Sequence, residues 1–236
     1  MLAAEAFTKS AAIKYAIFDA ELLAIQPRLA DQYQKCLAAN IPAYIAAHHL
    51  FHAISDTKNS QGIILVAAKP ASRPVKDSNG FYIVCDRVQD PGNLGTILRT
   101  AKAAGVTSVI LTPETVDAYN PKVVRAAMGA GFSLPIYEAA DNDSALAALK
   151  ELGLQIYVAA ANGALQAYDV DFCKGTAIIM GSEAAGADDF WRSAADNTIS
   201  LPMQKGSESL NVAMAAGIIM YEQVRQKLSL QKQQLS

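Results

Sequence analysis

Residues Phe81–Gly105 read FYIVCDRVQDPGNLGTILRTAKAAG. An unbroken apolar run leads into a Pro-Gly turn, and an alanine-rich stretch ending in glycine follows. Apolar residues without alternation predict a strand buried on both faces, and the second half predicts a helix stopped at Gly105. Two side chains in this stretch stand out. Asn93 sits at the turn, where it can cap the helix or face a ligand. Arg99 lies about one and a half turns into the helix, where a cation gains nothing from the macrodipole. It is either a snorkelling surface residue or a working group.

The same strand-then-helix pattern continues downstream. SVILT, SLPIYE, QIYVAAA, TAIIMGSE and TISLPM read as strands. NPKVVRAAMGAG, DSALAALKELG, DDFWRSA and SLNVAMAAGIIMYEQVRQKL read as helices. Apolar strands alternating with helices predict an α/β fold with a mostly parallel sheet covered on both faces. Ligands of such sheets bind beyond the carboxyl ends of the strands. The loops after IVCD, YVAAA, IIMGSE and ISLPM are therefore the places to look.

Upstream, IKYAIFD and QGIILVAAK read as strands with the helix QPRLADQYQKCLAAN between them. The segment Ala68–Gly80, AKPASRPVKDSNG, carries three cations and two prolines and reads as a linker. The expected organisation is a small α/β domain over 1–70, a linker at 71–79, a larger domain over 80–230 and a tail at 231–236.

Composition narrows the function. Of 236 residues, 52% are hydrophobic and 18% charged, which suits a globular chain. No apolar run is long enough to span a bilayer, and MLAAEAFTKS lacks the basic and apolar regions of a secretory signal. The three cysteines, Cys36, Cys85 and Cys173, are far apart and suggest buried thiols in a reducing cytoplasm. Net charge is −2, so a polyanion would have to be held by a local patch. The part up to Asn79 is mildly basic, with 8 Lys and Arg against 6 Asp and Glu.

Several chemistries lack their residues. GAGFSL does not supply the third glycine of the dinucleotide fingerprint, and GSEAAGAD does not make a phosphate loop. Without a G-x-S-x-G elbow, Ser182, Ser207 and Ser209 have no claim as hydrolase nucleophiles. His48 and His52 in HHLFH share a helical spacing, but no acid or cysteine neighbours them along the chain. They read as a surface helix end, and no metal is expected.

Two further loops carry unusual chemistry. In IIMGSEAAGADD a buried strand ends on Gly181, then Glu183, with glycines that let backbone approach a ligand. In ISLPMQKGSESLNVAMAAG a strand stops at Pro202, and Ser209 and Asn211 open a small-residue helix. Taken singly, these are an ordinary turn with a solvated acid and an N-cap with a polar second residue.

Together, DPGNLGTILRTAKAAG, IIMGSEAAG and LPMQKGSESLNVAMAAGIIMYE resemble, in order and spacing, the three motifs of the SpoU/TrmH group of SPOUT methyltransferases. Residues 1–70 more weakly resemble the ribosomal-protein-like RNA-binding domain that often precedes that catalytic domain, with its start truncated. The resemblance implies a C-terminal trefoil knot, a homodimer, and a pocket for S-adenosylmethionine lined by Ala159, Gly181, Ile199, Leu201 and Leu210. General topology rules do not anticipate a knot. The resemblance also implies a polar set of Asn93, Arg99, Glu183, Ser209 and Asn211. The implied activity is methyl transfer to a ribose 2′-hydroxyl of RNA, ribosomal RNA first and transfer RNA second. The chain departs from the group at Ala127, where a serine is common, and at Ser182, where asparagine is frequent. The competing readings are an RNA-binding assembly factor without chemistry and a small-molecule-binding α/β protein.

Overall fold

A computed structural model describes residues 2–8, 12–55, 57, 59–72, 75–206 and 208–235. The chain divides into two compact units, Met1–Ala71 and Ser72–Ser236.

The first unit runs α1 (Leu2–Thr8), β1 (Ile13–Asp19), α2 (Ala20–Ile25), α3 (Pro27–Ala38), β2 (Ala43–Ala46), α4 (His48–Ile54) and β3 (Ile63–Ala67). β1 is the central strand, parallel to β2 and antiparallel to β3. Its inward residues Ala16 and Phe18 pack with Leu29 and Cys36 of α3, and Tyr33 meets Phe18 edge-on at 5.3 Å. Asp19 caps α2, and Pro27 stands in the first turn of α3, where a missing N–H costs nothing. The two strands and the helix expected here are all present. β2 was missed because its four residues, AYIA, are too short to show a period.

The second unit runs β4 (Phe81–Cys85), α5 (Pro91–Ala104), β5 (Ser108–Leu111), α6 (Pro121–Ala126), β6 (Ile136–Glu138), α7 (Asn142–Glu151), β7 (Gln155–Ala159), β8 (Leu165–Gln166), β9 (Thr176–Met180), α8 (Asp189–Ala194), β10 (Asn197–Ser200) and α9 (Val212–Leu235). Its strands form one seven-stranded sheet in the order β6-β5-β4-β9-β7-β10-β8, and every pairing is parallel. The α/β, mostly parallel architecture read from the sequence is therefore the one observed.

β4 shows why that strand reads as an unbroken apolar run. Phe81, Ile83 and Cys85 point into a core shared with α5 and α9, while Tyr82 and Val84 point into the opposite core with Leu149 and Trp191. Both faces are covered, and burying each large side chain contributes roughly 1.5–3 kcal/mol. The linker's second half belongs to this unit: the Tyr82 hydroxyl donates to Val75 O or Asp77 O, both at 3.0 Å. Arg73 and Pro74 lie outside the described residues.

Two boundaries and the burial of one cysteine differ from expectation. The helix over NPKVVRAAMGAG is two short pieces, because Met128 and Gly129 adopt positive φ (51° and 79°). α9 runs on to Leu235, through the segment expected to be a tail. Cys36 and Cys85 are buried free thiols, but Cys173 is only half-buried. Burial, with the Asp86 carboxylate adjacent, pushes the Cys85 thiol up to about 12. No helix among the described residues is long and apolar enough to cross a membrane.

Candidate active site

Three strand ends converge on a cavity of about 370 Å³. The wall comprises Ala159–Ala161 after β7, Met180–Gly186 after β9, the Ile199–Met203 segment leaving β10, and the start of α9. This volume falls in the usual range for a small-molecule site. All five residues expected around a cofactor, Ala159, Gly181, Ile199, Leu201 and Leu210, line it. Glu183, Ser209 and Asn211 line it too.

Within the cavity wall, Gly181 is the glycine that backbone approaches most closely. A Cβ there would lie 2.0 Å from Ala187 N and 2.1 Å from Gly186 C, both main-chain atoms. The loop is closed by Ser182 and Gly186, whose backbones exchange hydrogen bonds at 3.1 and 2.9 Å. Ser182 Oγ accepts from Ala185 N at 3.3 Å, so the serine found at this departure from the motif serves the turn itself. Ala127, the other departure, is buried and offers no polar atom to its surroundings beyond backbone.

The polar set is partly assembled. Asn93 Nδ2 donates to Glu183, and Asn211 Nδ2 donates to Asn93 Oδ1 at 2.9 Å. The Asn93 amide is thereby pinned at both ends by two residues of the cavity wall. Asn93 is not the helix cap. Asp90 holds that position, accepting from Asn93 N at 2.7 Å, with Pro91 next in the first turn. Asn211, expected in a second turn with Ser209 as cap, is itself the cap of α9: its Oδ1 accepts from Ala213 N at 3.0 Å and Met214 N at 3.2 Å. Ser209 is exposed at the cavity edge. Ser207 lies outside the described residues.

Arg99 stands apart. It is exposed and has no hydrogen-bond or ion-pair partner among the described residues. Six residues separate it from Asn93, which on a helix is about 9 Å of rise and roughly 240° of rotation. It therefore lies on a different face of α5 from Asn93, and it is not part of the cavity wall.

Two residues escaped the sequence reading. Asp86, fully buried at the end of β4, accepts from Asp188 N at 2.8 Å and Thr112 Oγ1 at 3.2 Å, so it holds the end of the Gly181–Asp188 loop against β4. An acid closing an all-apolar strand was the available signal, since a buried carboxylate needs partners. Arg192 of α8 is the one cation of the cavity wall among the described residues. Its Nε donates to Ala187 O at 3.1 Å, which fixes one edge of the guanidinium and leaves it without a carboxylate partner among the described residues. Its only sequence signal was a lone arginine following the glycine loop.

The profile of the SpoU rRNA Methylase family matches residues 80–221. The 23S rRNA (guanosine(2553)-2′-O)-methyltransferase RlmP of Bacillus subtilis is 35% identical over 185 residues, spanning 78% of this chain and 73% of that protein. The crystal structure of the SpoU methyltransferase AviRb from Streptomyces viridochromogenes in complex with AdoMet superposes with a TM-score of 0.84 at 26% identity, covering 96% of this chain and 87% of that one. An AdoMet-bound rRNA methyltransferase from Sinorhizobium meliloti gives 0.82 at 28% identity, covering 95% and 84%.

Proposed function

Because the chain belongs to the SpoU rRNA methylase family, we propose that it moves a methyl group from S-adenosylmethionine to a ribose 2′-hydroxyl of RNA, with ribosomal RNA as substrate. The observation that carries this is the cavity at the β7, β9 and β10 ends, bridged at its rim by Glu183, Asn93 and Asn211. The wall suits an adenosyl sulfonium. Met180, Ile199 and Leu201 give an apolar floor, and the missing side chain of Gly181 lets the loop at its edge fold back against Gly186 and Ala187. The strand ends at the site are those the family ties in a trefoil knot, and the same entanglement is proposed here.

S-adenosylmethionine, when bound, supplies a methyl group already activated by its sulfonium. What remains for the protein is alignment, which can contribute roughly 7–11 kcal/mol. Ala159, Gly181, Ile199, Leu201 and Leu210 seat the cofactor. Arg192, the cation of the wall, would hold its carboxylate. Asn93, immobilised by Glu183 and Asn211, orients the sugar, and Ser209 adds a hydroxyl at the same edge.

Arg99 holds the phosphate next to the reacting ribose. A guanidinium stays protonated throughout the working pH range, so it makes a poor base but a good anchor for phosphate and a field that favours developing alkoxide. Since Arg99 is outside its own cavity wall, it serves the cavity of a second copy. α9 supports such a homodimer. Met214, Tyr221 and Leu228 recur every seven residues on one face and are 60%, 53% and 53% exposed. An exposed apolar stripe of that length marks a protein–protein surface. α9 packs on α5, so Arg99's helix adjoins the stripe. The first unit, mildly basic, docks RNA, and the reaction takes place in the cytoplasm.

Incubation with methyl-labelled S-adenosylmethionine and RNA lacking the modification separates this reading from a binding-only assembly factor. Label passes to RNA only if the chain is an enzyme.

A further inference from the structure

The first unit holds a side-chain cluster that methyl transfer does not use. Asp19 ends β1 with no exposed surface and caps α2 through Oδ1, which accepts from Glu21 N at 3.0 Å and Leu22 N at 3.2 Å. Its second oxygen is thereby left for another partner. Parallel pairing of β1 with β2 sets Asp19 opposite Ala46, and α4 begins two residues later with His48. His48 Nδ1 consequently lies 2.8 Å from Asp19 Oδ2. One turn further along α4, His52 meets the His48 ring edge-on, with centroids 4.3 Å apart. One ligand atom each from Asp19, His48 and His52 falls within 4.8 Å of the others. HHLFH reads as a bare helix end in sequence because the acid that completes it lies 29 residues upstream of His48.

A carboxylate on Nδ1 keeps the proton there and turns the Nε2 lone pair outward, as in metal sites where an acid stands behind a histidine ligand. His52, four residues on, presents a second imidazole on the same helical face. Neutral nitrogen donors select late first-row divalent ions over magnesium or calcium, which prefer oxygen. Both histidines are open to solvent, so water can fill the remaining positions: the His48 side chain is 41% exposed and His52 is exposed. Glu21 Oε2, 3.9 Å from His48 Nδ1, adds negative charge at the rim.

We propose that His48 and His52 bind a divalent cation of the zinc class, with Asp19 holding His48 in its ligating tautomer. The bound ion staples the first turn of α4, which the His48–Asp19 hydrogen bond already joins to the end of β1, and so braces the first unit.

The test is isothermal titration calorimetry of the tag-free, metal-stripped full chain with zinc chloride, and with magnesium chloride as control. Wild type should bind one zinc with micromolar affinity and give no magnesium heat. His52→Ala, at an exposed position, should weaken zinc by about tenfold or more. His49→Ala, which alters a neighbouring histidine outside the cluster, should bind like wild type. Zinc should also raise the melting temperature of wild type and His49→Ala but not of His52→Ala. Absence of zinc binding by wild type, or equal losses in the two variants, overturns the proposal. Either result leaves the methyltransferase reading untouched, because the cluster lies wholly in the first unit.

Discussion

Asn211 donates its side-chain amide to Asn93 Oδ1 at 2.9 Å, joining the start of α9 to the first turn of α5 across 118 residues. The same Asn211 caps α9 with its Oδ1, so one side chain does two separable jobs. Asn211→Asp preserves an oxygen for the cap but sets a carboxylate against an amide already engaged by Glu183. Thermal unfolding should stay near wild type while turnover falls about a hundredfold. Asn211→Ala should lose both, with a stability cost of about 1 kcal/mol. Melting curves and single-turnover rates on the two variants separate the jobs. Equal activity in wild type and Asn211→Asp contradicts a working role for the amide.

Arg99 should be dispensable for stability and required for turnover. It is exposed and unpartnered among the described residues, so Arg99→Ala should shift stability by less than about 0.5 kcal/mol. Cofactor affinity should stay near wild type. If the arginine serves a second copy's cavity, two inactive chains repair each other. Mixing Arg99→Ala with Asn93→Ala should restore about a quarter of wild-type activity, since half the dimers are mixed and each has one intact site. No recovery after subunit exchange argues for a site built within one chain.

Arg192 makes a prediction that discriminates between parts of a ligand. Its proposed partner is the cofactor's carboxylate, which S-adenosylhomocysteine retains and 5′-methylthioadenosine lacks. Arg192→Ala should weaken S-adenosylhomocysteine by about tenfold or more and leave methylthioadenosine unchanged. Equal losses would mean that Arg192 acts through its bond to Ala187 O instead.

The pH dependence of stability has one legible contributor. The Arg225 guanidinium, bonded to the nearly buried Glu222 at 2.7 and 2.8 Å, holds that carboxyl below its ordinary 4.5, against the upward push of burial and with help from Gln226. A depressed carboxyl stabilises the fold above its unfolded value and loses that contribution as pH falls through the folded one. Wild type should therefore lose melting temperature below about pH 4.5, and Glu222→Gln should lose less over the same interval. Parallel curves for the two proteins would assign the acid limb to other groups.

Much of the second unit was legible in sequence because its strands are buried on both faces and declare themselves as unbroken apolar runs. FYIVC and TAIIM are fully buried strands at the sheet centre. Of the cavity wall, the loops after β9 and β10 were marked in the sequence by a strand end carrying glycine, whereas Ala159 after β7 was named only through the family resemblance. Local hydrogen bonding was harder to read. Asn93 and Asp90 are both good caps, and only the Pro91 that follows Asp90 distinguishes them. Tertiary pairings were not legible at all. Asp86 with Asp188, and Asp19 with His48, are contacts created by strand register, which periodicity does not reveal.

The central claim concerns where the methyl group goes, and nucleoside analysis of the product answers it. RNA from cells lacking the gene, incubated with the protein and methyl-labelled S-adenosylmethionine, should yield label in 2′-O-methylated nucleosides that resist alkaline cleavage of the adjacent phosphodiester. Arg99→Ala should yield none. Label on a base, or no transfer to ribosomal RNA by the wild-type chain, would contradict the account.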